Sequence, residues 1–250
     1  MGAFHEGHLA LIRRCRAEND FAVVSIFVNP TQFAPGEDLD KYPRQLEQDC
    51  EKARELGVDL VFAPTEAEMY PEGYCTWVVV EKLTEPLCGR YRPGHFRGVT
   101  TVVTKLFNIV QPDRAYFGEK DYQQLVVIKR MVADLNMPIE IVAVPTVREP
   151  DGLAMSSRNS YLTPEQRAVA PALFEALQKA AEAVRNGASG PEAEEIVRRE
   201  LAKVPQFKLQ YVEAVHPDTL EPATWHGPPM VIAAAAFLGD TRLIDNVKVE

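Results

Sequence analysis

Two histidines three residues apart, His5 and His8, sit where Met1-Gly-Ala-Phe-His-Glu-Gly-His8 runs into the apolar-periodic stretch Leu9, Leu11, Ile12 and Cys15. At a helix start both imidazoles would lie beside backbone N–H groups lacking intrahelical acceptors and beside the positive end of the helix dipole. Gly2 and Gly7 would let a ligand approach the main chain closely. That combination suits a polyphosphate. A turn carrying two surface histidines fits the same spacing. Zinc fits less well, because the four-apart pair of a metalloprotease helix and a third ligand are both missing from the pattern. A later stretch, Met155-Ser-Ser-Arg-Asn159, sets hydroxyls beside a guanidinium, groups that can grip a triphosphate as its charge redistributes. Taken alone, it reads better as a polar linker.

Two further stretches carry neutral amides and a cation. They are Phe27-Val-Asn-Pro-Thr-Gln-Phe33 and Gly118-Glu-Lys-Asp-Tyr-Gln-Gln-Leu125. Asn29, Gln32 and Gln124 can bind a carboxylate and hydroxyls without adding charge. Lys120 supplies a mobile point cation for phosphate, and Asp121 is placed to reach a ribose or to orient Lys120. Any one of these alone reads as a strand-end turn residue. Arg90, Arg92, His95 and Arg97 form a basic stretch that reads mainly as solvated loop charges.

The elements that must position these residues alternate along the first two-thirds of the chain. Residues 21–28 form a near-continuous apolar run of strand length, as expected for a strand covered on both faces. A helix is expected over 42–56, with Leu46, Cys50, Ala53 and Leu56 on one face and Gly57 as its stop. A strand follows at 58–62, a helix at 98–110, a strand at 114–117, a helix at 122–135 and a strand at 139–144. This cadence predicts right-handed crossovers and a parallel, doubly wound sheet. Both amide-bearing stretches then fall at carboxyl ends of strands, where open α/β sheets bind ligands. After about residue 145 the pattern changes. A long helix over 164–185, capped by Thr163 with Pro164 at its first position, precedes a second helix over 191–203. Strands at 209–215, 230–237 and 242–249 close the chain and predict a smaller α+β domain.

Bulk properties exclude some classes. The 250 residues carry a formal net charge of −9, which argues against sequence-independent nucleic-acid binding. No run reaches the roughly 18 apolar residues of a membrane span. Four scattered cysteines (Cys15, Cys50, Cys75, Cys88) fit reduced thiols in a cytoplasmic protein.

The histidine motif and the Met-Ser-Ser-Arg loop together resemble the nucleotidylyltransferase superfamily and the class I aminoacyl-tRNA synthetases, in which two such elements clamp ATP. With residues 27–33, 118–125 and Pro145-Thr-Val-Arg-Glu149 added, the whole chain closely resembles the pantothenate synthetase family. That resemblance implies a Rossmann-like α/β domain over 1–146 and an α+β domain over 147–250 that closes over the ATP site. It implies an ATP-dependent ligase that adenylates pantoate and passes the acyl group to β-alanine, in the biosynthesis of pantothenate. ATP would meet Met1, Gly2, Ala3, Phe4, His5, Glu6, Gly7 and His8, then Gly118, Glu119, Lys120 and Asp121, and finally Val147, Met155, Ser156, Ser157 and Arg158. His8 matches the family's catalytic acid, and His5, Lys120 and Arg158 would stabilise phosphate charge. Gln32 and Gln124 would hold pantoate, with Asn29 beside them and Gln32 also near β-alanine. The family implies Mg²⁺ with the nucleotide, a homodimer and a cytoplasmic setting, with no nucleic-acid or membrane partner. Phe4 stands where leucine is usual. The likeness further implies a strand before residue 1, so the sheet is expected to lack its first strand. The rival readings are another nucleotidylyltransferase, whose phosphorylated acceptor would favour Arg or Lys over paired glutamines, and a nucleotide-binding protein without catalysis.

Overall fold

The computed structural model describes residues 2–34 and 36–250. In chain order α1 spans Glu6–Glu18, β1 Val23–Ser25, α2 Leu46–Glu55, β2 Leu60–Phe62 and α3 Glu66–Met69. Then come α4 Cys88–Tyr91, α5 His95–Val110, β3 Arg114–Gly118, α6 Tyr122–Asp134 and β4 Glu140–Val144. The remainder holds α7 Pro164–Val169, α8 Ala172–Arg185, α9 Gly190–Leu201, β5 Phe207–Val215, β6 Met230–Leu238 and β7 Thr241–Val249. Contacts divide the chain into two compact units. The first comprises Met1–Glu85, Gly89–Glu119 and Gln124–Val147, and the second Pro86–Cys88, Lys120–Gln123 and Arg148–Glu250.

The first unit is α/β. β1 pairs in parallel with β2, and β3 in parallel with β4. The doubly wound sheet, expected to lack its first strand, is present as two parallel pairs, and no described strand hydrogen-bonds one pair to the other. α1 packs against β3, β4 and α2. Beneath it lies a core of Phe4, Ile12, Val24, Ile26 and Ala53, in which each of the four larger side chains is worth roughly 1.5–3 kcal/mol of burial. The helix expected over 42–56 is shorter and turned. Asp49 and Ala53 are its buried residues, whereas Leu46 is 48% exposed. Gly57, with φ of 73°, ends it as expected. Sequence periodicity placed Leu46 inward because it weighed only apolar positions; a charged residue took the innermost place.

The second unit is α+β, with an antiparallel sheet ordered β5-β6-β7. β6 is central and buried along nearly its whole length, as its apolar run requires. Four consecutive alanines, Ala233 to Ala236, keep its surface low where helices and neighbouring strands cover it. The long helix expected over 164–185 is broken in two. Pro171 lacks an N–H and its ring crowds the preceding turn, so α7 closes with Ala170 N donating to Gln166 O, and α8 starts afresh. At Gly190 an added Cβ would lie 1.8 Å from Ala223 O, so only glycine lets α9 begin this close to that loop. No helix among the described residues is long and apolar enough to cross a membrane.

Glu200 on α9 fastens α8 by accepting from Lys179 Nζ at 2.7 Å, and it also accepts from Lys203 Nζ at 2.6 Å. The two ammonium groups pull its carboxyl down to about 2. A depressed folded pKa stabilises above the unfolded carboxylate range, near 4.3, and that contribution is lost as pH falls towards about 2. Glu200→Gln is therefore expected to lower the urea midpoint at pH 6, with the gap to the parent narrowing steadily down to pH 3. A pH-independent gap would contradict the assignment.

Candidate active site

At the start of α1 the backbone amides of His5, Gly7, His8 and Leu9 have protein acceptors, and two of those acceptors are imidazoles. His5 is the N-cap, in extended conformation, and its Nδ1 accepts from Gly7 N at 3.1 Å. His8, at the third helical position, returns the bond: its Nδ1 accepts from His5 N at 3.3 Å. The backbone N–H groups of His8 and Leu9 donate to His5 O. This is a reciprocal capping box in which imidazoles replace the usual hydroxyl and carboxylate. The two rings lie 4.0 Å apart, centroid to centroid. A ring nitrogen that accepts an N–H carries no proton, so each neutral imidazole holds its proton at Nε2.

One expectation from the sequence is thereby revised. The sequence suggests a cradle of unpaired amides for phosphate, yet the amides of Ala3, Phe4, His5, Gly7, His8 and Leu9 are engaged. Ala3 N and Phe4 N both donate to the carboxylate of Asp49, at 2.7 Å each. Ala3 and Phe4 thus offer no amide to a ligand, and the Phe4 side chain lies in the core. Met1 lies outside the described residues. Gly2 is buried beside Val28, and Glu6 pairs with Arg13.

After β1 the chain makes a single 3₁₀ turn, Pro30–Gln32. Asn29, expected to touch substrate, is 3% exposed with its amide fully engaged. Its Nδ2 donates to Gln32 Oε1 at 3.0 Å and Gly98 O at 3.1 Å, and its Oδ1 accepts from Thr31 Oγ1 and Tyr70 OH, both at 2.9 Å. Burial raises the Tyr70 phenol above its ordinary pKa, so it remains a donor. Asn29 therefore holds the Gln32 side chain through its amide. The Gln32 carbonyl accepts from Arg92 Nη2 at 3.1 Å and lies 2.8 Å from His95 Nδ1. Arg92 also makes a two-pronged pair with Glu37, at 2.7 and 2.6 Å. Arg92 and His95, read from the sequence as solvated charges, are thus part of the scaffold that holds Gln32.

β3 ends at Gly118 and leads into the 3₁₀ turn Glu119–Asp121. Lys120 Nζ stands 3.9 Å from Asp121 Oδ2, so Asp121 is beside it as expected but at the outer limit of an ion pair. The Lys120 carbonyl accepts from Asn246 Nδ2 of β7 at 3.0 Å. Of the two adjacent glutamines, Gln123 is buried and structural, accepting from Cys88 N and donating to Pro86 O. Gln124 makes no side-chain hydrogen bond among the described residues, leaving its amide for other work.

Residues 155–158 follow a small hairpin in which Arg148 bridges Ala154. Arg148, the residue after Val147, binds Asp245 of β7 through both guanidinium arms (2.6 and 2.9 Å) and lies over the Phe174 ring. Ser156 caps the 3₁₀ turn Ser157–Tyr161 by accepting from Arg158 N at 3.2 Å. Asn159 Nδ2 donates to Ala154 O, closing the loop on itself. Asp245 and Asn246, acidic and amide residues inside an apolar strand, anchor this loop and Lys120. Their polarity at core-facing positions was the signal that sequence reading passed over.

The family model described as Pantoate-beta-alanine ligase matches residues 1–248. The chain belongs to the pantoate-beta-alanine ligase family. It is 58% identical to the pantothenate synthetase of Moorella thermoacetica over 254 residues, covering 100% of this chain and 89% of that one. Its fold matches the crystal structure of pantothenate synthetase from Thermus thermophilus with a TM-score of 0.96 and 54% identity, over 99% of this chain and 90% of that one. The Francisella tularensis pantoate-beta-alanine ligase, solved in complex with beta-gamma ATP and beta-alanine, matches with a TM-score of 0.82 and 37% identity, over 99% and 87% of the two chains. The family resemblance and the α/β class with a second α+β unit, both expected from the sequence, agree with these matches.

Within this ligase-family chain the close approach of α5 to the Pro30–Gln32 turn depends on Gly98. An added Cβ there would fall 2.3 Å from Thr31 O and 2.9 Å from Gln32 N. Gly98→Ala is expected to cost on the order of 1–3 kcal/mol in urea unfolding and to disorder Gln32. Unchanged stability would show that the turn yields without strain.

Proposed function

We propose that the chain joins (R)-pantoate to β-alanine at the expense of ATP, through a pantoyl-adenylate. The observation that carries this reading is the reciprocal His5–His8 cap in a chain of this family, in which both rings accept a backbone N–H through Nδ1, an arrangement that supports Nε2–H as the donor proposed for phosphate oxygen. The Francisella relative's complex with an ATP analogue and beta-alanine supports the same pair of ligands. A pantoate carboxylate oxygen, held by Gln32 and Gln124, attacks the α-phosphorus in line. The bond to the bridging oxygen breaks and pyrophosphate leaves. The neutral β-alanine amine then attacks the acyl carbonyl, loses its proton, and AMP departs. The mixed anhydride is the activated intermediate, so the protein supplies positioning and charge stabilisation rather than a nucleophile.

In this reading His8 donates from Nε2 to the phosphate whose charge grows as the bond breaks, and His5 supports it. Lys120 and Arg158 offset the phosphate charge, and Gly118, Glu119, Asp121, Val147, Met155, Ser156 and Ser157 complete the nucleotide contacts. Gln32 also faces β-alanine. Among the described residues no cluster of three or more His, Cys, Asp or Glu could hold a metal ion. Mg²⁺ is proposed to come with the triphosphate. Bound there, Mg²⁺ would neutralise phosphate charge. A cytoplasmic homodimer belongs to the same proposal.

The test is pantoate-dependent exchange of labelled pyrophosphate into ATP with β-alanine left out. Exchange that requires pantoate is expected. His8→Ala should lose roughly 10²–10³ of that rate while staying folded, since a lost cap removes only about 1 kcal/mol. A His8→Ala rate within a few-fold of the parent would remove His8 from the chemistry, and exchange independent of pantoate would sink the ligase reading.

A further inference from the structure

Asp49 is a fully buried carboxylate on α2, and both of its oxygens serve one turn of chain. Oδ2 accepts from Ala3 N and Oδ1 from Phe4 N, each at 2.7 Å. Ala3 has a φ of +51°, a left-handed conformation that a residue with a side chain rarely adopts. Two successive amides presented to one anion form the kind of concavity that elsewhere binds phosphate. Here the protein's own carboxylate is the anion. Three residues further along α2, Lys52 Nζ donates to Phe4 O at 2.8 Å, so one helix grips Phe4 through both its amide and its carbonyl. The Phe4 ring then packs with Ala53 in the core and lies 5.6 Å from the His8 ring.

The core does not need an acid at this place. An apolar side chain would be buried more cheaply, since a carboxylate is tolerated there only because it is doubly hydrogen-bonded. What the acid does accomplish is local: it holds the chain in the one turn from which His5 meets α1 as its N-cap. If that turn relaxes, His5 Nδ1 leaves Gly7 N and His5 N leaves His8 Nδ1, and the two bonds that make each Nδ1 an acceptor are lost.

We propose that Asp49, assisted by Lys52, is a positioning residue that fixes the turn at residues 3 and 4 and, through it, the placement and Nε2–H tautomer of His5 and His8. The kinetic half of this inference rests on the function proposed above; the tautomer half does not.

Asp49→Asn keeps the volume but sets an amide N–H against a backbone N–H. Long-range ¹H–¹⁵N spectra of the imidazoles should show Nδ1 bare and Nε2 protonated for both rings in the parent, and mixed tautomers in the variant. The ATP kcat/KM should fall roughly 10- to 100-fold, the penalty typical of a small misplacement, while the β-alanine KM stays within about threefold. A merely structural Asp49 would lower the melting temperature and leave tautomers and ATP kinetics like the parent's well below that temperature; this result overturns the proposal. Should Asp49→Asn fail to fold, Lys52→Met removes the donor to Phe4 O while keeping the stem, and the same spectra decide. Parent-like tautomers there would also overturn it. A parent without ligase activity would discredit the proposed function, yet its imidazole spectra, with those of the variant, would still decide the role of Asp49.

Discussion

At the first turn of α1 two backbone amides, those of His5 and Gly7, donate to imidazole rings, and that arrangement determines what each ring can do. A helix start ordinarily leaves several N–H groups for solvent, a capping side chain or a bound anion. Here His5 and His8 cap each other through Nδ1, and Asp49 takes the two amides just upstream. Phe4 links this assembly to the core, because its side chain is buried while its peptide group is bound on both sides by α2.

The same economy recurs around the other candidate groups. Asn29 is engaged on every side so that Gln32 is held, and Arg92, just after α4, and His95, at the start of α5, fix the carbonyl of Gln32. In the second unit, Asp245 and Asn246 on β7 hold Arg148 and the Lys120 carbonyl. Buried polar residues in this protein carry the geometry, and the groups proposed to meet ligand stand beside them. Such networks hold position well because leaving any member unpaired in a dry interior is costly.

Much of this was legible in the sequence. The motif segments, the strand and helix order, and the apolar run of β6 all follow from residue type and spacing. The remainder was hidden for identifiable reasons. Apolar periodicity cannot find Asp49, because the innermost position of α2 is a charge whose partners lie more than forty residues away. The basic residues after α4 read as solvated because their partners, Glu37 and a backbone carbonyl, lie in another stretch of chain. The break between α7 and α8 was legible in Pro171 but was outweighed by helical periodicity on both sides. The separation of the parallel strands into two pairs depends on pairing across the fold, which no local pattern encodes.

The chemistry proposed for this site requires a substrate carboxylate to take the α-phosphate and then surrender it with one of its own oxygens. Pantoate labelled with ¹⁸O in both carboxylate oxygens, incubated with ATP and β-alanine, follows those oxygens directly. The account predicts that AMP acquires one ¹⁸O and pantothenate keeps the other, with none in pyrophosphate. Unlabelled AMP, or label recovered in a phosphate other than AMP, would contradict attack at the α-phosphorus.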